Sequence, residues 1–267
     1  MIPDYTLIIG VDHKHLNQLS ITWPTWKRHK PSLLKVPLIV FFDRSEVTVE
    51  QIVAVVDHPN MKLVLWPPLG VCYTGDEHDK FSHPQRYKML SGFVHVAGAM
   101  VKTPYYLKLD TDVVATGLDD WIAEDWFYNF PAIISHPWNF TRPPNQMIYL
   151  DDWVQSKIGM GPGKELLEHP PLKLMPQPGE DRLGHQRIIS WCGFFETEFT
   201  RECSRIAHEY SGYGQLPVPT QDGYLWYVAK RLGRGIVRAN LKSRGWQQWN
   251  TYHNIKQHAQ QAMEIEV

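Results

Sequence analysis

Apolar residues gather in short blocks at 7–11, 38–42, 63–66 and 105–109, rich in Ile, Val, Leu and Tyr. They do not alternate strictly with polar positions, which is the pattern of strands covered on both faces of a sheet. Between the second and third blocks, Thr48 and Gln51 have capping-box spacing and are followed by Ile52, Val53, Val55 and Val56, so a helix starts there. Before the fourth block, Ser82 and Gln85 repeat that spacing and Pro84 suits a first turn; Tyr87, Leu90, Phe93, Val94, Ala97 and Met100 then fall on one helical stripe. Strand, helix, strand, helix predicts an α/β fold with a mostly parallel, doubly wound central sheet flanked by helices and right-handed crossovers.

The second half reads differently. Residues 159–187 carry five prolines (Pro162, Pro170, Pro171, Pro176 and Pro178) beside Gly161, Gly163, Gly179 and Gly184, the composition of a long surface loop. An apolar strand resumes over 188–195, and Thr220 caps a helix carrying Leu225, Val228, Ala229 and Leu232 before Gly233 stops it. With 267 residues, the chain reads as one domain, 1–267, with an elaborated C-terminal half.

Asp12, Asp43, Asp110 and Asp112 each follow an apolar block, so a parallel sheet would line them along its carboxyl edge, where open α/β sheets bind ligands. Taken singly, Asp12 and Asp43 are equally well read as turn or cap residues. The pair at 110 and 112 is different. Two carboxylates about 4 Å apart repel by about 4 kcal/mol at an effective dielectric near 20, and this calls for a shared proton or a cation. Among cations, an oxygen-ligating Mn²⁺ or Mg²⁺ suits such a pair.

The run from Tyr105, Tyr106, Leu107, Lys108 and Leu109 into Asp110, Thr111, Asp112, Val113 and Val114 resembles the strand that ends in the DxD motif of GT-A-fold glycosyltransferases. The likeness extends over 7–114 in element order and thins through 191–233. It implies a nucleotide-sugar-binding half at 1–117 and an acceptor-binding half at 118–267, the latter containing the 159–187 loop. It further implies that Asp110, Thr111 and Asp112 contact metal, ribose or diphosphate, that Asp12 and Asp43 lie near base and ribose, and that Arg86 and Lys88 pair with phosphate oxygens. Asp222, at the start of the Thr220-capped helix, would be the base of an inverting transfer. Retaining members often carry a C-terminal His beside a Lys-Pro-Trp segment; this chain offers Lys242, Arg244, Gly245, Trp246 and His253, the last as a third metal ligand. His136, Trp138, Trp191 and Trp246 are candidates to line the acceptor site, since an aromatic face packs on the apolar side of a sugar ring. The implied reaction moves a sugar, in the first instance from a UDP-sugar, to a saccharide or other hydroxyl-bearing acceptor.

Charge and composition narrow the alternatives. Lys plus Arg number 27 against 28 for Asp plus Glu, so no net field gathers a polyanion such as nucleic acid. Cys72, Cys192 and Cys203 lack C-x-x-C spacing, which argues against a disulfide framework or a structural zinc. With no basic leader and no apolar run near the roughly 18 residues of a membrane span, the expectation is a cytoplasmic protein. Eleven Trp residues are unusual, and about two in three are expected in the core.

One rival is a haloacid-dehalogenase-type phosphatase or phosphotransferase, with Asp110 as nucleophile, Asp112 as general acid, Ser135 after Ile134 as second motif and Lys173 as counter-charge. That motif usually follows the first strand, whereas three strand candidates precede it here. A sugar-nucleotide pyrophosphorylase would need a Gly-rich loop where this chain has only Gly10, Val11 and Asp12. A carbohydrate-binding module without chemistry is the non-enzymatic alternative.

Overall fold

The structure, a computed structural model, describes residues 1–70, 84–138, 187–211, 221–239, 241, 245–248 and 251–265. Seven strands form one sheet in the order β3-β2-β1-β4-β7-β6-β8. They are β1 (Tyr5–Val11), β2 (Leu38–Phe42), β3 (Met61–Leu65), β4 (Tyr105–Leu109), β6 (Ile133–Trp138), β7 (Arg187–Glu196) and β8 (Ile236–Arg238). Strands β3, β2, β1 and β4 are mutually parallel, and β6 pairs parallel with β8. Strand β7 runs antiparallel between β4 and β6. A separate two-stranded ribbon joins β5 (Val113–Ala115) to β9 (Trp246–Gln248).

Each central strand divides its residues between two cores with the period of 2 that a pleated strand imposes. In β4, Tyr105, Leu107 and Leu109 face one core with Leu7, Ile9, Val40 and Phe42. Tyr106 faces the other, with Ile8 and Phe41. The first core is covered by α1 (His13–His29), through Leu16, Leu19, Trp23 and Trp26, and by Ile52 of α2 (Val49–Val55). The second is covered by α3 (Pro84–Met100), α4 (Thr197–Ser211) and α5 (Gln221–Arg231), through Phe93, Ala97, Phe199, Cys203, Tyr224 and Leu225. Helix α6 (Tyr252–Glu264) packs Ile255, Ala259 and Ala262 against Val114 of β5 and Ile21 of α1.

The signals at Thr48, Gln51 and Gly233 fold as the sequence predicts, whereas Ser82 and Thr220 lie outside the described residues. Thr48 and Gln51 form a capping box, in which Thr48 Oγ1 accepts from the Gln51 amide and Gln51 Oε1 accepts from the Thr48 amide. Helix α5 ends before Gly233, whose φ of +63° suits a residue without Cβ. The 159–187 loop lies outside the described residues except for Arg187, which opens β7. Among the described residues, seven Trp, 23, 26, 66, 121, 126, 226 and 246, are buried. No described helix is long and apolar enough to cross a membrane.

Candidate functional site

The register gathers the predicted carboxylates. Val11 pairs with Phe42 and Ile8 with Lys108, so continuing the ladders brings Asp12 beside Asp43 and sets Asp110 level with Gly10 at the carboxyl edge. Residues 110–112 are a turn between β4 and β5, and α1 fixes its shape. The Thr111 hydroxyl donates to Gln18 Oε1 at 2.8 Å, and the Thr22 hydroxyl donates to the Thr111 carbonyl at 2.7 Å. Farther on, Trp26 Nε1 donates to the Val113 carbonyl at 2.7 Å and the Ala115 amide to Thr25 Oγ1 at 3.0 Å. Gln18, Thr22, Thr25 and Trp26 are spaced i, i+4, i+7 and i+8, one face of a helix. On the far side, Gly245 at φ +94° accepts from the Thr116 amide in a place where any Cβ would collide with the Thr116 carbonyl.

With Thr111 turned inward, Asp110 and Asp112 flank it, each only partly buried. This corrects the expectation for Thr111, whose hydroxyl is spent on Gln18 and which is 2% exposed, too enclosed for its side chain to reach a donor. Lys108 donates to Asp110 Oδ1. Two oxygen-donor side chains on a braced turn suit a hard divalent ion, since Mg²⁺ is commonly held by one or two carboxylates with substrate phosphates completing the shell.

The other two aspartates are committed locally. Asp12 caps α1, accepting from the His15 amide at 2.8 Å and lying 2.7 Å from His15 Nδ1. Burial would raise its pKa, but the His15 hydrogen bonds and charge outweigh that and hold it below the ordinary aspartate value. Asp43 accepts from the Ser45 amide at 3.0 Å, from the Ser45 hydroxyl at 2.8 Å and from Lys88. Burial again pushes its pKa up, and the bonds from Lys88 and Ser45 bring it below normal. Lys88 therefore points at Asp43 rather than lying on a solvated helix face.

The acceptor and metal candidates divide. Trp246 is 1% exposed and packs edge-on to Trp121 at 4.6 Å between ring centroids, and against Trp26 at 5.6 Å. Its large apolar surface is used to build the core, which removes it from an acceptor site. His253 is exposed in the first turn of α6. Among the described residues, no three His, Cys, Asp or Glu side chains converge as metal ligands, so His253 does not join Asp110 and Asp112. His136, by contrast, emerges at a β-bulge after Ser135, which like Lys108 opposes Gly193, and so reaches the same edge as Asp110. The Trp191 backbone is adjacent to Cys192, the partner of Leu109, and therefore also lies at this edge. The side chains of Arg86 in α3, Trp138, Trp191 and Asp222 lie outside the described residues, although their backbones belong to α3, β6, β7 and α5.

Three site features escaped the sequence reading. One is the polar face of α1, where Gln18, Thr22 and Thr25 occur at helical spacing. Another is the Lys108–Asp110 pair, which its i, i+2 spacing on a strand permits. The third is Gln221, the first residue of α5, which is wholly buried with neither amide atom hydrogen-bonded.

A cavity of about 270 Å³ lies at the amino end of β4, lined by Tyr105, Thr103, Phe130, Glu196 and Arg201 among others. It is at the opposite end of the strand from Asp110, so its enclosure says nothing about the carboxylate edge.

No family model matches the chain, and no curated protein matches it in sequence. Solved structures do match. A galactosyltransferase, LgtC, in complex with donor and acceptor sugar analogs, superposes with a TM-score of 0.51 at 10% identity, covering 98% of this chain and 97% of its own. The mannosyltransferase Ktr4p from S. cerevisiae gives a TM-score of 0.51 at 11% identity over 85% of this chain and 66% of its own. At such identities the likeness is one of architecture: this chain is built on the GT-A fold.

Proposed function

We propose that the protein is a glycosyltransferase that moves a sugar from a nucleoside diphosphate donor, UDP being the first nucleotide to test, to a hydroxyl of a saccharide or similar acceptor. The observation that carries this reading is the turn at 110–112, braced by α1 so that two carboxylates open at the carboxyl edge of a GT-A sheet. Asp110 and Asp112 would hold a divalent ion, Mn²⁺ or Mg²⁺, whose contribution is to offset the charge that gathers on the departing diphosphate.

The chain's own residues supply the rest. Asp12 and Asp43 shape the nucleotide side of the cleft through the turns they cap, and residues 1–117 form the donor half. Arg86, in the first turn of α3, is assigned to the phosphate oxygens, while Lys88 holds Asp43. His136, Trp138 and Trp191, from strand segments at the same edge, border the acceptor half at 118–267. Asp222 is assigned as the base that takes the proton of the acceptor hydroxyl as its oxygen attacks the anomeric carbon from the face opposite the diphosphate, with inversion. Support for that assignment is positional: Asp222 is the second residue of α5, the helix that leads into β8 beside β6.

The phosphatase reading loses ground because Asp110 follows the fourth strand of the chain, in a sheet of GT-A architecture, rather than the first. Incubating the protein with a panel of UDP-, GDP- and ADP-sugars and Mn²⁺, and measuring release of the nucleoside diphosphate, tests the proposal. Release from one donor class, abolished by Asp222→Asn with donor binding retained, supports it. Hydrolysis of simple phosphomonoesters in place of donor cleavage would refute it.

A further inference from the structure

Lys108 is out of place by the ordinary rules of a core strand. It sits in the middle of the sheet, 1% exposed, between two strands that bury apolar residues on both faces. Burying an ammonium costs solvation that a leucine there would not, so the position is tolerated only with close compensation. That compensation is specific. The Lys108 ammonium lies 4.5 Å from the centroid of the Phe93 ring and donates to Oδ1 of Asp110. Residues i and i+2 of a strand share a face, so β4 itself delivers the charge to the first carboxylate of the turn. The lysine side chain is 2% exposed and the aspartate side chain 33%, so the positive charge comes from inside the protein and the carboxylate it serves opens outward.

A fixed positive charge there acts in two directions. It lowers the mutual repulsion of Asp110 and Asp112, holding the turn together in the free protein. It also repels any divalent ion that approaches the same carboxylates. At about 6 Å, a unit charge weakens binding of a dication about tenfold even at the dielectric of bulk water. A nucleoside diphosphate reverses that balance, because its phosphate oxygens bring negative charge and further ligands to the ion.

Building on the glycosyltransferase reading above, we propose that Lys108 is a positioning residue that makes cation capture conditional on the donor. The carboxylate pair then binds a divalent ion weakly by itself and firmly only as part of a ternary complex with the nucleoside diphosphate. Such coupling is reciprocal: the ion strengthens nucleotide binding by the same factor that nucleotide strengthens ion binding. A purely structural lysine would leave the affinity of the nucleotide-free protein for the ion unchanged when its charge is removed.

The test is to titrate Mn²⁺ into the protein with and without saturating UDP, counting free Mn²⁺ by its electron paramagnetic resonance signal. The wild-type protein should bind Mn²⁺ at least about tenfold more tightly with UDP than without. Lys108→Met should bind Mn²⁺ alone about tenfold more tightly than wild type, and Lys108→Arg, which keeps the charge, should retain the wild-type coupling. Thermal melting without metal identifies a Lys108→Met chain that does not fold, in which case Lys108→Gln, which also removes the charge, takes its place with the same expected tightening. Equal Mn²⁺ affinity with and without UDP in the wild type, or unchanged or weaker Mn²⁺ binding by folded Lys108→Met, overturns the proposal. Failure to bind UDP under any condition removes instead the glycosyltransferase reading on which it rests.

Discussion

The ends of β1 and β2 and the end of β4 carry the same residue type along the same sheet edge, yet they are put to different uses. The Asp12 and Asp43 side chains are 10% and 9% exposed, while that of Asp110 is 33% exposed. Asp12 is bound by the helix it caps and Asp43 by Ser45 and Lys88, contacts that fold the chain locally. At β4 it is the intervening residue, Thr111, that turns inward and is held by α1, leaving its acidic neighbours at the rim. Whether an aspartate after a strand is enclosed or left at the rim therefore follows which residue of the turn the scaffold grips.

Substitutions can break this contrast in a graded way. The largest effect is expected from Asp112→Asn, which removes a carboxylate at the rim of the sheet. Donor cleavage should fall by about 10³-fold or more, the scale of several kcal/mol of lost charge stabilisation. Asp43→Asn should behave oppositely. It leaves the Lys88 ammonium, 16% exposed, against a neutral amide, and chemical denaturation should show a loss of about 2–3 kcal/mol. Asp12→Ala removes the α1 cap and should cost about 1 kcal/mol in the same assay. The smallest effect is on acid stability. Both capping carboxylates titrate below their unfolded value, so the unfolded chain takes up protons first as pH falls. The stability they contribute is complete above about pH 4 and is lost below it, and a melting series across that range should flatten in the Asp12→Ala, Asp43→Asn double variant.

Much of this was legible in the chain because it is encoded over short distances. Blocks such as 38–42 and 105–109 announce strands, Thr48 with Gln51 announces a helix start, and the DxD turn after β4 marks the rim. What could not be read depends on partners far away in sequence. Thr111 meets Gln18, 93 residues distant, and nothing near residue 111 says that its hydroxyl is taken. Trp246 has the same composition as a sugar platform, and only its packing on Trp26 and Trp121 assigns it to the core. Strand β7 reads correctly as a strand over 188–195, but its antiparallel insertion between β4 and β6 follows from topology rather than local pattern. Lys108 looks like an ordinary strand residue until its burial is known.

The central claim is that Asp110 and Asp112 capture a cation that carries a diphosphate. Calorimetric titration of UDP into the protein, with Mn²⁺ and then with the metal chelated, addresses it most directly. The account predicts binding at least about tenfold tighter with Mn²⁺ and loss of that difference in Asp112→Asn. UDP affinity indifferent to metal, or a metal effect that survives Asp112→Asn, would contradict it.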